Sequence, residues 1–337
     1  MKALVITGPG RAEVQEVSPP EPGRGECVVE VHRVGLCGTD AELFTGSMPY
    51  LRSGEAAYPL RIGHEWAGVV RAVGPGADAC WLGRRVTGDT MLGCRSCALC
   101  AVGRQHLCAD RHEVGIRGGR AGALAERMTV PAWSLHPLPD EVDWTQGALV
   151  EPGGNALRAV RAARPAPGQT VLVMGPGTIG VLTALLVRAG GATVHLLGKD
   201  EDDLRFARSL GFAHAWTERT LPDERFDVVV DASNAPHLPA EALRLVQPGG
   251  TVVYVGIAGR ASLIDTRSVV TADLTVAGVL SASGGLDGTI TAYASGAIDP
   301  RPLVGTSVPL DQVPDVLAGR VGRTATAGPK VHVTPLS

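Results

Sequence analysis

The chain has 337 residues, 45% of them hydrophobic and 19% charged, with a formal net charge of -3. That is enough for about two globular domains at roughly 100–200 residues each, and the slight acidity excludes the basic footprint of a nucleic-acid binder. The apolar runs, such as VLTALLV, are far shorter than a membrane span.

Taken from the start, MKALVIT opens directly as an alternating strand. It carries none of the basic region, long apolar stretch and small-residue cleavage site of a signal peptide, so a cytoplasmic chain is expected. ALVIT, CVVEVHRVG and WAGVVRAVG read as strands punctuated by Gly and Pro. Between the last two, LFTGSMPYLRSGEAAYPLRI reads as a loop. NALRAVRAA is helical, and RPAPGQ leads from it into the strand TVLVM. The helix TIGVLTALLVRAG, strand TVHLL, helix EDDLRFARSLG, strand FDVVVDAS, helix AEALRLVQ and strand GTVVYVG then alternate. Such alternation predicts a parallel sheet covered by helices. The helix GTITAYASG, irregular segments and a last strand KVHVT follow, and that tail must pack back on the N-terminal part. The reading is an α/β chain. A β-rich domain is expected from residues 1–150 plus 285–337, and a doubly wound nucleotide-binding domain from 151–284.

Seven cysteines are present. Cys94, Cys97, Cys100 and Cys108 form C-x2-C-x2-C-x7-C. Four thiolates on a tight loop surround a tetrahedral zinc and leave no open position, which makes the site structural. Unpaired thiols, or a zinc-knuckle nucleic-acid module, are the alternatives, the second disfavoured by the lack of basic and aromatic neighbours. Cys27 and Cys80 read as buried small apolar residues.

A second set is dispersed. Cys37-Gly38-Thr39-Asp40 ends a strand, Gly63-His64-Glu65 follows a loop, and Glu151-Pro152 comes much later. One Cys, one His and one or two carboxylates make an open, catalytic zinc site with a position left for water or substrate. Singly, a buried inert Cys or a structural His accounts for each piece. Together, GHEWAGVVRAVGPGA (residues 63–77), CGTD at 37–40, the four-cysteine lobe and VEP at 150–152 resemble the zinc-dependent medium-chain alcohol dehydrogenases over nearly the whole chain. The likeness is strongest to their polyol, sugar and threonine branch.

The resemblance implies a GroES-like catalytic domain beside a Rossmann domain. It implies Cys37 and His64 as zinc ligands, Glu65 as a ligand or close carboxylate, and Glu151 as a ligand, direct or through water. Asp40 would orient His64, and Thr39 would hand the substrate proton toward the cofactor ribose. Glu113, in Glu113-Val114-Gly115-Ile116, and Asn155, four residues after Glu151, are implied as hydrogen-bond partners of substrate hydroxyls. Against this stands an ordinary surface Glu and a helix-start Asn. Two zinc ions per chain and a homodimer or homotetramer are further implications.

Gly175-Pro176-Gly177-Thr178-Ile179-Gly180 follows the strand TVLVM and opens a helix. In that context the glycines let backbone approach a pyrophosphate seated on the helix N-terminus. NAD binding calls for an acidic residue at the end of the next strand. Gly198 stands there, followed by Lys199, which gives room and charge for a 2′-phosphate. Asp200 to Asp203 oppose this, although carboxylates also suit a helix N-terminus. The balance favours NADP over NAD. Asp231-Ala232-Ser233, Val255-Gly256 and Leu280-Ser281, expected at strand ends, complete the cofactor crevice.

The expected reaction is interconversion of a secondary alcohol and a ketone with NAD(P). A small polar substrate fits best: a polyol, sugar, cyclitol or aminocyclitol. Tyr50, Tyr58, Phe44 and Arg52 are candidates for the pocket entrance. A threonine-type or simple secondary-alcohol dehydrogenase is the alternative within the enzyme class. A non-catalytic nucleotide-binding scaffold is the alternative outside it.

Overall fold

The structure is a computed structural model that describes residues 1–321 and 327–336. By its contacts the chain divides into two compact units, one formed by Met1–Glu151 with the C-terminal stretch from Leu286, the other by Pro152–Gly285.

The first unit is built on a seven-stranded sheet. At its centre, Glu26–Leu36 pairs antiparallel with Glu65–Val73 and with Arg127–Pro131. The C-terminal strand Lys330–Thr334 pairs with the end of the same central strand, setting Val331 opposite Leu36 and His332 opposite Gly35. Alternation of Val and Leu with polar residues turns one set of side chains inward, and Leu4, Ile6, Val29, Val34, Trp66, Leu124 and Met128 form the buried core. Two helices follow Cys37, Gly38–Thr45 and Pro49–Ser53, so the stretch read as a loop from Leu43 holds the end of the first and all of the second. Gly46, at φ +83°, ends the first, and Pro49 begins the second. Phe44 and Tyr58 are packing residues here: Phe44 is buried and the Tyr58 hydroxyl donates to Leu43 O at 2.6 Å. Cys27 is buried as expected, but Cys80 is exposed.

The second unit is a six-stranded, all-parallel sheet. Its order is Ala215–Thr217, Thr193–Gly198, Thr170–Met174, Phe226–Asp231, Val246–Tyr254 and Thr275–Gly278. The chain starts in the middle, winds to one edge, returns and winds to the other. The strand ends at Met174 and Asp231 therefore flank the point where the winding reverses, which is where such sheets bind ligands. Val, Leu and Phe buried on these strands reflect a sheet with both faces covered. The helix expected over AEALRLVQ stops at Leu245, because Val246 and Gln247 already belong to the next strand and Pro248-Gly249-Gly250 cannot extend a helix. The last strand ends at Gly278, so Leu280 and Ser281 lie beyond it rather than at its end. Among the described residues, no helix is long and apolar enough to cross a membrane.

Candidate active site and metal centres

The four-cysteine lobe is assembled locally. Cys94 follows the short strand Met91–Leu92, Cys97 precedes the helical turn Ala98–Ala101 that contains Cys100, and Cys108 follows the turn Gln105–Leu107. The four sulfurs lie within 4.8 Å of one another, with Cys97 and Cys108 at 3.9 Å. All are free thiols. Hydrogen bonds from Ser96 and the backbone hold the Cys94 thiol down at about 6. Burial pushes Cys100 up to about 12. Thiols this close ionise together only around a cation, so the donor set fits a closed tetrahedral zinc site. The lobe is braced by Gln105, whose amide donates to Asp89 at 2.8 Å.

The dispersed set also converges. Cys37 stands at the N-terminus of Gly38–Thr45, at the end of the central strand. His64 and Glu65 open the neighbouring strand, where Glu65 lies opposite Gly35. Cys37 Sγ is 3.3 Å from His64 Nε2, and donor atoms of Cys37, His64 and Glu65 lie within 4.8 Å of one another. His64 and Glu65 are buried. Burial raises the Cys37 thiol, and Asp40 raises it further. Burial disfavours a charged His64, but the Cys37 sulfur, Asp40 and Glu151 outweigh it and hold the ring well above its usual value. A thiol and an imidazole contesting one proton in a buried site are the groups a divalent cation would serve better, and a mixed S, N, O donor set suits zinc.

Asp40 is fully buried and accepts the Cys37 N–H at 2.9 Å. Its other oxygen is 3.8 Å from His64 Nδ1, beyond hydrogen-bond length, so its closer contact is to the helix N-terminus rather than the ring. Thr39 lies half-buried on the first turn of that helix. Glu151 is buried in the first turn of Val150–Ala163 and acts electrostatically on His64, but it is not part of the 4.8 Å cluster.

Glu113 is buried and occupied. Its carboxylate accepts from Arg111 Nε at 2.9 Å and from the Tyr50 hydroxyl at 3.1 Å, and Arg111 also donates to that hydroxyl at 3.1 Å. The next residue, Val114, donates to Thr90 O at 3.0 Å, and the Thr90 hydroxyl donates to His64 O at 3.3 Å. Asn155 belongs to the second unit, half-buried on Val150–Ala163. Arg52 is exposed.

In the second unit the glycine loop is shaped by close approach. Gly175 has φ +89°, and a Cβ on Gly180 would fall 1.9 Å from Gly175 O. Gly177 precedes the helix Thr178–Ala189, and a Cβ there would meet open space. Thr178 and Ile179 are the first helical residues, whose free N–H groups favour an anion. Asp231 accepts from Ser233 N–H at 2.9 Å and from its hydroxyl at 2.6 Å, while Ala232 N–H bonds Met174 O. Val255 and Gly256 N–H groups bond Asp231 O, and a Gly256 Cβ would strike Ser233 O at 1.7 Å. Ser281 has φ +72°, and Arg158 donates to the carbonyls of Leu280 and Ser281. Lys199 is exposed. Asp200 caps the helix Glu201–Ser209 by accepting from Asp202 and Asp203 N–H, which is what the acidic run suggested. Gly198 has a packing reason as well, since a Cβ would come within 2.8 Å of Leu204 Cδ2.

Two contacts escaped sequence reasoning. Tyr50, singled out only for a pocket entrance, and Arg111 hold Glu113. Lys330 is buried against Glu65, with each carboxylate oxygen 2.7 Å from Nζ. A basic residue two before Glu113 was a signal for the first. For the second the hint was a lone lysine opening the apolar strand KVHVT, in a chain whose only other lysines are Lys2 and Lys199.

Residues 23–140 match the alcohol dehydrogenase GroES-like domain, and residues 178–294 match the zinc-binding dehydrogenase family. The chain is 34% identical to an L-threonine 3-dehydrogenase of Saccharopolyspora erythraea, over 83% of each chain. Its fold is similar to that of a protein described as a zinc-binding dehydrogenase from Sinorhizobium meliloti 1021, bound to NADP (TM-score 0.89, 30% identity, 99% of each chain). It is also similar to an alcohol dehydrogenase from Thermus sp. ATN1 (TM-score 0.89, 26% identity, 99% of each chain). The chain belongs to the zinc-binding medium-chain dehydrogenases and is a zinc- and NAD(P)-dependent alcohol dehydrogenase.

Proposed function

We propose that this dehydrogenase acts on a secondary alcohol of a small polyhydroxylated substrate, a polyol, sugar, cyclitol or aminocyclitol. The observation that carries this is the triangle of buried Glu113 with half-buried Arg111 and Tyr50, linked through Val114 and the Thr90 hydroxyl to the His64 carbonyl. It gathers a carboxylate, a guanidinium and a phenol hydroxyl into one mutually bonded set, into which the extra hydroxyls of a polyhydroxylated substrate can exchange and which a plain alcohol has no further group to engage. Asn155 is a second hydroxyl partner. A threonine-type substrate is the second reading, favoured by the L-threonine 3-dehydrogenases of Saccharopolyspora erythraea and Legionella pneumophila, 34% and 31% identical to this chain.

Two zinc ions per chain suit the two donor clusters. Cys94, Cys97, Cys100 and Cys108 hold one. Cys37 and His64 hold the other, with Glu65 beside it as a ligand or close carboxylate and Glu151 as a further ligand, direct or through water. When bound, the second zinc supplies Lewis-acid polarisation of the substrate oxygen, and the nicotinamide takes the hydride. The chain supplies position and proton transfer. Asp40 fixes the backbone at Cys37 and so the helix start bearing Thr39, whose hydroxyl passes the substrate proton toward the cofactor ribose. Gly175, Gly177, Thr178, Ile179 and Gly180 seat the pyrophosphate on the helix N-terminus. Gly198, Asp231, Ala232, Ser233, Val255, Gly256, Leu280 and Ser281 line the rest of the cofactor site.

NADP is the favoured cofactor: no carboxylate ends the strand at Gly198, Asp200 is spent on its helix, and Lys199 is free to meet a 2′-phosphate. Lys199→Ala is expected to raise the KM for NADP about tenfold and leave that for NAD unchanged. Homodimer or homotetramer formation is supported by the open outer edge of the strand Thr275–Gly278 and by exposed Leu263, Val270 and Val276. A cytoplasmic setting is supported by the seven free thiols.

The test is nicotinamide reduction by the zinc-replete protein on polyols, aldoses, cyclitols, aminocyclitols, threonine and 2-propanol, each with NAD and NADP. Polyhydroxylated substrates should lead the others by at least about tenfold in kcat/KM. Threonine leading the panel would replace the polyol reading with the threonine one.

A further inference from the structure

The Glu65 carboxylate has two claimants. One is the cluster it forms with Cys37 and His64. The other is the Lys330 ammonium, 2.7 Å from each of its oxygens. Both side chains of this pair are buried, at 4% and 3% exposure, so water does not weaken their attraction. Lys330 also donates to Leu36 O at 3.0 Å, the carbonyl just before Cys37.

The backbone is arranged for this contact. Glu65 and Lys330 sit on strands that pair with opposite edges of the central strand, Glu65 beside Gly35 and Val331 beside Leu36. To reach Lys330, the Glu65 side chain passes over Gly35. A Cβ at Gly35 would lie 2.2 Å from Glu65 Oε2, with only the far end of that side chain able to give way at low cost. The glycine thus clears a path from the carboxylate to the C-terminal strand.

We propose that Lys330 is a positioning residue that holds the Glu65 carboxylate across Gly35, in competition with the metal at Cys37 and His64. This rests on the reading of Cys37, His64 and Glu65 as a zinc site. A carboxylate bound by a buried ammonium donates less to an adjacent cation, and the ammonium repels that cation. Lys330 therefore keeps this site weaker in metal affinity than its donors alone would make it, and keeps a position available for substrate. The C-terminal strand becomes part of the active site without touching the reacting atoms.

The prediction has an unusual sign. Loss of a merely structural residue beside a metal site loosens the metal. Lys330→Met should tighten it, by at least tenfold in the zinc dissociation constant of the Cys37 site, measured by chelator competition on the full chain. The four-cysteine site of the same sample is the unchanged reference. With cobalt in place of zinc, the visible bands of the Cys37 site should weaken and shift as a carboxylate joins the coordination. Lys330→Arg, which keeps the charge, should match the wild type within about threefold and retain its spectrum. Gly35→Ala leaves Lys330 intact but evicts the carboxylate, and should shift the cobalt bands in the direction of Lys330→Met. Should Lys330→Met fail to fold, Lys330→Gln, which retains a donor for Leu36 O, carries the same expectation.

Unchanged or weaker zinc binding in the neutral variants, or a Gly35→Ala spectrum identical to wild type, overturns the proposal while leaving the zinc site standing. Absence of any metal at Cys37 and His64 in the wild type overturns both.

Discussion

The two cysteine-bearing clusters of the first unit are built on opposite principles. The lobe of Cys94, Cys97, Cys100 and Cys108 draws four identical donors from 15 consecutive residues and holds them with short turns. The set of Cys37, His64 and Glu65 draws three different donors from two strand ends, and adds buried Asp40 and Lys330 around them. On the proposed reading the lobe would satisfy a cation with like charges and have nothing left for chemistry. The dispersed set mixes charges that oppose and offset one another, which leaves room for a fourth partner. A local cluster tolerates movement of the surrounding sheet, whereas the dispersed one exists only when two paired strands keep register. On that reading stability and reactivity are separated within one unit.

Substitutions should separate them too. Cys37→Ala has the largest expected effect. It should lower kcat/KM by on the order of 10³-fold or more, since a Lewis acid supplies several kcal/mol at the transition state. Cofactor binding, read by fluorescence titration, should stay close to wild type. Thr39→Val sharpens the comparison from within the active cluster. Loss of a proton-transfer group is expected to lower kcat by about 10²-fold, with zinc content unchanged. Cys97→Ser should act on the other side of the divide. It should lower Tm by about 5–10 °C through loss of a structural metal, and release zinc, while the protein that remains folded keeps most of its kcat. Gly93→Ala is the mildest. Its Cβ would fall 2.5 Å from Cys100 Sγ, so Tm should drop by a few degrees, as roughly 1–2 kcal/mol of overpacking implies, with kcat untouched.

What the sequence made legible follows from the same contrast. The lobe is readable because its spacing is its geometry. The dinucleotide loop is readable because a strand, a Gly-rich turn and a helix are contiguous, and the close approaches at Gly175 and Gly180 explain why glycine stands there. Cys37, His64 and Glu65 were found by motif, together with Asp40 and Glu151, but Lys330 was not. Lys330 lies 265 positions from Glu65, and nothing in the local pattern of KVHVT tells that its first residue meets a carboxylate across another strand. Glu113 was singled out as a partner of substrate hydroxyls, yet it is also held by Arg111 and Tyr50, a fact set by tertiary packing of the helix Pro49–Ser53. That helix itself was read as loop, because five residues are too few to show a period.

The most direct measurement is zinc content and turnover followed together during mild chelation of the purified chain. The account predicts two zinc ions per chain. The first to leave, from the Cys37 cluster, should take all activity with it and leave Tm nearly unchanged. The second, from the four-cysteine lobe, should leave only as Tm falls. A chain that keeps its activity after losing its more labile zinc, or that holds a single zinc while fully active, would contradict the division of labour between the two clusters.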